Sequence, residues 1–205
     1  METVILANGR FPYHKIPLGI LKNAKQIVCC DGAAKNLIEF GLEPSIIIGD
    51  LDSLDIDIKE KHTDILIKID DQETNDLTKA VNWCIANSIN KVTILGATGK
   101  REDHAIGNIS LLAEYTNKIK VKMISDYGEF IPITRTTVFE SFEGQQVSLF
   151  SLNPETIINS ENLKYPLSGY KLDAWWKGTL NESTAKQFTV RFDSGKIIVY
   201  KLFGG

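Results

Sequence analysis

The stretch "IIIGDLDS" at residues 46–53 decides the fold of the first half of the chain and raises a question about charge. Its three β-branched apolar residues predict a short buried strand, and a glycine and two acids, Asp50 and Asp52, follow them. In an extended segment, residues i and i+2 point to the same side of the chain. At a separation of roughly 5–6 Å and an effective dielectric of about 20, two carboxylates repel each other by about 3 kcal/mol. We therefore expect a bound cation at this point.

Short β-rich runs alternate with helical patterns on both sides of this stretch. Apolar residues at helical spacing follow Asp76, which places it in the first turn of a helix, and a similar repeat places Asp103 and His104 at the start of another. This alternation is typical of an α/β fold, here a mostly parallel, Rossmann-like sheet with flanking helices. The predicted strands of this part span residues 3–6, 26–30, 45–48, 65–67, 91–95 and 120–124.

The pattern changes after about residue 126, where short β-rich pieces are separated by turns and no long helical repeat occurs. This spacing predicts a C-terminal antiparallel β-sandwich. The chain is therefore expected to have two domains, an α/β domain at residues 1–126 and a β-sandwich at residues 127–205. The strands predicted for the second domain span residues 136–139, 146–150, 188–192 and 196–202.

Composition limits the class of partner. The net charge is −3 and basic residues form no run, which argues against a nucleic acid or a membrane surface and favours a small-molecule ligand. No run of about 18 apolar residues and no export signal is visible, so we expect a soluble cytoplasmic protein. Cys29, Cys30 and Cys84 form no CxxC pair, and we interpret them as reduced core residues.

Polar clusters follow five of the predicted strands. In an open α/β sheet, ligands bind outside the carboxyl ends of the strands, so these clusters are expected to meet there. Each alone is compatible with an ordinary turn, because Gly and Asp are common turn residues. The clusters are "ANG" at residues 7–9, "DGA" at 31–33, "GDLDS" at 49–53, "DQETND" at 71–76 and "GATGKREDH" at 96–104.

Two of these clusters suggest a metal-bound polyphosphate. Asp50, Asp52 and Asp76 could converge on Mg²⁺, which is bound by one or two carboxylates together with water and substrate phosphate, although Asp76 could instead be a helix cap. Glycines, Arg101 and a helix N-terminus suit a polyphosphate, but the order of a Walker loop is absent and the basic residues could be solvated turn charges. His104 could be a base, although an orienting hydrogen bond is the commoner role.

Four motifs in this order resemble the thiamine pyrophosphokinase family: "CDGAAKNL", "PSIIIGDLDSL", "DQETNDLTKAV" and "LGATGKREDHAIGNISLL". In the second half, "LKYPL" at residues 163–167 and "GTLNE" at 178–182 are similar to the family's thiamine-site segments. The resemblance implies an Mg²⁺-dependent enzyme that transfers a pyrophosphoryl group from ATP to the thiamine hydroxyl and releases AMP. It also implies a nucleotide-binding catalytic domain, a thiamine-binding sandwich, and a homodimer with thiamine bound at the subunit interface. In the family, Thr usually stands where this chain has Asn75.

The resemblance also implies roles for individual residues, with Asp50, Asp52 and Asp76 as metal ligands. Arg101 would stabilise the charge on the departing AMP, and Asp103 would either bind metal or accept the hydroxyl proton. Thiamine would contact Tyr165, Trp176, Thr179 and Asn181. The residues expected at ATP are Asn8, Gly9, Asp31, Gly32, Gly49, Gln72, Thr74, Asn75, Gly96, Thr98, Gly99, Lys100 and His104.

Three other functions fit part of the pattern. A haloacid-dehalogenase-like phosphatase also has an apolar strand ending in DxD, with Asp50 as its nucleophile, but no late acid pair follows here. A DxD glycosyltransferase would use manganese and a nucleotide sugar. A nucleotide- or thiamine-sensing module would bind ATP without turning it over.

Overall fold

The computed structural model describes residues 2–204 of the 205-residue chain. The chain forms two compact units, residues 1–111 with 117–126 and residues 112–116 with 127–205. Within residues 2–204, no helix is long and apolar enough to span a bilayer.

The first unit contains a six-stranded sheet in the order β6-β5-β1-β2-β3-β4, and every neighbouring pair in it is parallel. Its strands are β1 Thr3–Leu6, β2 Gln26–Cys30, β3 Ile46–Gly49, β4 Leu66–Lys68, β5 Lys91–Leu95 and β6 Lys120–Ile124. The helices that begin in it are α1 Lys15–Lys22, α2 Ala33–Glu39, α3 Ile56–Lys61, α4 Asp76–Ala86 and α5 Glu102–Tyr115.

The central strands of this sheet are covered on both faces. Cys29 and Cys30 are neighbours on β2, so their side chains point to opposite faces, yet both are buried. A strand buried on both sides needs an almost continuous apolar sequence, and the sequences of β1, β2 and β3 are accordingly short hydrophobic runs. All three cysteines are free and buried, as expected for core residues.

The second unit consists of two antiparallel sheets, β12-β9-β14-β7 and β11-β10-β13-β8. One apolar core contains side chains from both sheets, including Leu149 and Val199 from the first and Ile158 and Phe188 from the second. The fold class predicted from the sequence is confirmed. The strands are β7 Gly128–Ile133, β8 Thr137–Glu140, β9 Gln146–Ser151, β10 Ile157–Glu161, β11 Tyr170–Lys171, β12 Asn181–Glu182, β13 Gln187–Arg191 and β14 Ile197–Leu202.

Candidate active site

A cleft of about 460 Å³ opens at the carboxyl ends of the strands of the first unit. Its walls are the loops that follow β1, β3, β4 and β5. The polar clusters of these loops therefore lie where an α/β sheet binds its ligands. Ten of the predicted site residues line the cleft: Asn8, Gly9, Asp50, Gln72, Thr74, Asn75, Asp76, Lys100, Arg101 and His104.

Three carboxylates meet in this part of the sheet. Asp31, Asp50 and Asp76 each offer one oxygen, and the three oxygens lie within 4.8 Å of one another. The set differs from the predicted trio, because Asp31 occupies the place that was expected for Asp52.

The reason is the backbone after β3. The strand ends at Gly49, and Leu51 has a φ of 64°, so the chain turns and the extended geometry assumed for residues 50–52 does not occur. Asp52 is exposed, and its backbone N–H donates to Asp50 Oδ1 at 3.1 Å. The same-side arrangement expected for Asp50 and Asp52 is therefore wrong, and a metal-binding role for Asp52 stays a prediction.

Asp31 is a buried acid with an unused acceptor. The residue is 3% exposed, and both the backbone N–H and the hydroxyl of Ser53 donate to Oδ2. Among residues 2–204, Oδ1 is buried and finds no hydrogen-bond partner. Burial raises the pKa of this carboxyl, while the two bonds from Ser53 act in the opposite direction. An open carboxylate oxygen of this kind fits a cation.

Gly49 gives the acids room to approach. A Cβ at this position would lie 3.0 Å from Asp31 Cβ and 3.2 Å from Asp76 Cγ, which is tighter than ordinary van der Waals contact. The glycine at the end of β3 therefore lets side chains from the end of β2 and from the start of α4 gather over its backbone. Gly49 thus permits the close approach of the two acids, and does not only let the chain turn after the strand.

Asp76 begins helix α4 and has a buried partner. Asn75 is the N-cap, and its side chain accepts a hydrogen bond from the Thr78 N–H at 2.9 Å. An amide oxygen caps the helix as a threonine hydroxyl does, which explains how Asn75 can replace the expected Thr. The ammonium of Lys79 lies 3.0 Å from Asp76 Oδ1, and its side chain is 4% exposed.

Backbone hydrogen bonds join the loops after β1 and β5. The N–H of Gly9 donates to the Gly96 carbonyl at 2.6 Å, and the N–H of Arg10 donates to the Thr98 carbonyl at 2.8 Å. A Cβ on Gly9 would lie only 2.3 Å from the Gly96 oxygen, so the approach requires glycine. Lys100 Nζ adds hydrogen bonds to the backbone oxygen and Oδ1 of Asn8 at 3.1 and 3.3 Å. The two loops form one wall of the cleft.

The remaining predicted residues of this unit lie at or after the carboxyl ends of β2, β3 and β5, outside the cleft lining. They are Asp31, Gly32, Gly49, Asp52, Gly96, Thr98, Gly99 and Asp103.

Arg101 and Asp103 form a two-pronged ion pair. Arg101 Nε lies 3.1 Å from Oδ1 of Asp103 and Nη2 lies 2.5 Å from Oδ2, and the His104 N–H also donates to Oδ1. These bonds, chiefly those from Arg101, lower the pKa of Asp103 to about 2. A carboxylate with so low a pKa is a poor proton acceptor, so the geometry disfavours Asp103 as a general base.

Lys79 and Asn108 are among the residues of the cleft that were not predicted from the sequence. The amide of Asn108 donates to the Ala97 carbonyl at 2.9 Å and accepts from Asn75 Nδ2 at 3.2 Å, which connects the cap of α4 to the loop after β5. Helical spacing could have found both: Lys79 lies three residues after Asp76, and Asn108 lies four after His104.

In the second unit, the four predicted thiamine residues form two local pairs. Asn181 is buried and makes two hydrogen bonds to the backbone of Tyr165, through Oδ1 at 3.1 Å and Nδ2 at 2.7 Å. Thr179 Oγ1 donates to the Trp176 carbonyl at 2.7 Å. Trp176 is 73% exposed, whereas Trp175 is 38% exposed and its ring contacts that of Phe150 edge-on.

Two family models match the chain in succession. The thiamin pyrophosphokinase catalytic domain matches residues 19–123, and the thiamin pyrophosphokinase substrate-binding domain matches residues 128–200. The chain belongs to the thiamin pyrophosphokinase family. The family's activity is the transfer of a pyrophosphoryl group from ATP to thiamine, so the family and the enzyme class predicted from the sequence are confirmed.

This chain is similar to individual thiamin pyrophosphokinases over most of their length. Thiamine pyrophosphokinase 1 of Oryza sativa is 26% identical, with 97% of this chain and 86% of the relative covered. Thiamin pyrophosphokinase 1 of Caenorhabditis elegans is also 26% identical, with 87% and 80% covered. Among solved structures, the Bacillus subtilis enzyme has a TM-score of 0.84 at 21% identity with both chains fully covered, and the yeast enzyme 0.82 at 18% with 98% and 86% covered.

Proposed function

We propose that the chain carries out thiamine pyrophosphorylation in the cleft of the first unit, and that Asp31, Asp50 and Asp76 hold the Mg²⁺ that accompanies ATP. The observation that carries this proposal is the meeting of three carboxylate oxygens within 4.8 Å. The buried Asp31 Oδ1, which has no hydrogen-bond partner among the described residues, supports it. Carboxylate oxygens are the protein ligands that Mg²⁺ prefers, so the residues present fit the ion.

The joined loops after β1 and β5 are proposed to hold the phosphates. Lys100 and Arg101 supply positive charge at the cleft wall, and α5 begins at Glu102, next to Arg101. Basic side chains and a helix N-terminus together favour an anion. Gln72, Thr74 and Asn75 would position the rest of the nucleotide through hydrogen bonds.

The reaction itself is an attack of the thiamine hydroxyl on the β-phosphorus of ATP, with AMP as the leaving group. Bound Mg²⁺ supplies charge neutralisation at the phosphate oxygens. The chain positions the reactants, since phosphoryl chemistry depends on placement and charge more than on covalent help. Arg101 would stabilise the oxygen of departing AMP, and Asp103 would hold the guanidinium ready by its two hydrogen bonds.

The second unit is proposed to bind thiamine. An exposed indole such as Trp176 suits a cationic aromatic ring, and Thr179 fixes the turn that carries it. Asn181 would act by holding the backbone of Tyr165. We also propose a homodimer with the thiamine site at the subunit interface, which the exposure of Tyr165 and of Leu180 at 79% supports.

Three predictions from the sequence remain proposals. Residues 1–126 would act as the nucleotide-binding catalytic domain and residues 127–205 as the thiamine-binding domain. The cytoplasm would be the cellular location.

Product analysis tests the reaction. The purified protein is incubated with ATP, Mg²⁺ and thiamine, and both products are identified by mass. We expect thiamine diphosphate and AMP in equal amounts, with no turnover when the metal is chelated. Formation of ADP, or turnover without a divalent cation, would contradict the proposal. Light scattering of the same sample tests the dimer, which a monomer mass would exclude.

A further inference from the structure

Lys79 is a buried cation that pairs with one acid of the cluster formed by Asp31, Asp50 and Asp76. Its side chain is 4% exposed, it lines the cleft, and its ammonium lies 3.0 Å from Asp76 Oδ1. Lysine is rarely buried to this extent unless it is paired with an acid. Helix α4 fixes both partners, because residues i and i+3 share one face.

The charges around Lys79 decide what it does. Lys79 pairs with Asp76, whose carboxylate oxygen lies within 4.8 Å of oxygens of Asp31 and Asp50. Asp71 at the cleft wall also lies within the field of the ammonium. Among residues 2–204, Lys79 is the one lysine or arginine that is buried. Its ammonium directly offsets the negative charge of Asp76. It therefore holds Asp76 in place while the cluster has no metal.

The ammonium of Lys79 has opposite effects on the binding of a bare divalent cation and of a metal–polyphosphate complex. A bare divalent cation is repelled by the buried positive charge, whereas a metal bound to polyphosphate carries net negative charge and is attracted. From this geometry, and resting on the proposed function, we propose that Lys79 is a positioning residue that makes the acidic cluster favour the metal–ATP complex over the bare cation.

Removal of the Lys79 charge should strengthen the binding of the bare cation and weaken the binding of metal–ATP. For Lys79→Met, we expect Mn²⁺ to bind on the order of tenfold more tightly without nucleotide, and the KM for metal–ATP to rise on the order of tenfold. Damage to the fold would weaken both, so the opposite signs separate this role from a structural one. Mn²⁺ binding is measured by the loss of the free-ion electron paramagnetic resonance signal.

Three variants make the test specific. Lys79→Gln keeps a hydrogen-bond donor without the charge, so it should show the same two changes as Lys79→Met. It also provides the test if the methionine variant fails to fold. Lys79→Arg keeps the charge and should retain Mn²⁺ affinity within about twofold, since the repulsion depends on charge. Lys25→Met removes an exposed lysine just before the amino end of β2 and should change neither value.

The outcomes distinguish this inference from the proposed function. If the unchanged protein binds Mn²⁺ no better than Asp50→Asn, the metal site itself is wrong and the inference fails with it. If the unchanged protein binds Mn²⁺ at the cluster but the neutral Lys79 variants bind it equally or more weakly, the inference alone is overturned. Tighter binding in Lys79→Arg would also overturn it.

Discussion

Asp31 is the residue on which the chemistry of the cleft depends most. It lies at the end of β2, where its φ of 40° is in the left-handed region, and it buries a carboxylate next to two others. Backbone strain and buried like charges both cost stability, and they are tolerated at functional sites. The sequence placed Asp31 near the nucleotide, but nothing local distinguished it from Asp52 as a member of the acidic cluster.

For Asp31→Asn, we expect a more stable metal-free protein and a much less active enzyme. The amide keeps an acceptor for Ser53 and removes one buried charge, so the free energy of unfolding should rise by about 1–2 kcal/mol. The loss of a ligand should lower kcat/KM on the order of 100-fold or more. Chemical denaturation with chelator and steady-state kinetics measure the two effects. Asp57→Asn, at an exposed position of α3, serves as control.

Asp103 permits a prediction about pH. Because Arg101 lowers its pKa to about 2, this carboxylate remains ionised as the pH rises from 5 to 9 and cannot produce an acid limb in that range. For Asp103→Asn, we expect a lower kcat from the loosened guanidinium, with the shape of the kcat/KM profile against pH unchanged. Disappearance of the acid limb in this variant would make Asp103 the base after all.

At the scale of elements, strands were predicted better than helices. The predicted bounds of β1, β2, β5 and β6 are confirmed to the residue, because short β-branched runs bounded by polar turns are distinctive in a parallel sheet. Helices α1 and α3 and strands β7, β10, β11 and β12 were not predicted. Helix α1 contains Pro17 and Gly19, which are poor helix formers. Helix α3 is only six residues long, and β11 and β12 have two residues each, too short for a periodic pattern.

The burial of β2 and α4 has a consequence for thiol chemistry. Burial raises the pKa of Cys29 and of Cys30, and raises that of Cys84 to about 12. At pH 8, a thiol of pKa about 12 is ionised in about one molecule in 10⁴, against about one in ten for pKa about 9. We expect Ellman's reagent to label the folded protein slowly at pH 8, faster as the pH rises, and all three thiols at once in guanidinium. Rapid labelling of the folded protein would contradict the buried positions.

At the scale of the whole molecule, the sequence predicted the α/β and β-sandwich architecture and the family, because the motifs occur in order with consistent spacing. It predicted less about the site, since the meeting of Asp31 with Asp76 depends on strand order and on the missing side chain of Gly49. The same limit applies to Asn181, whose amide is used internally to hold Tyr165. Local sequence shows which groups are available, and tertiary structure selects those that meet.

The central claim is that Asp31, Asp50 and Asp76 together hold the metal of the nucleotide. A crystal structure with Mn²⁺ and a non-hydrolysable ATP analogue tests it directly, because the anomalous signal locates the ion independently of the protein atoms. We predict a peak coordinated by carboxylate oxygens of these three residues and by phosphate oxygens of the analogue. A peak held by Asp50 and Asp52, with Asp31 and Asp76 outside its coordination shell, would contradict the account.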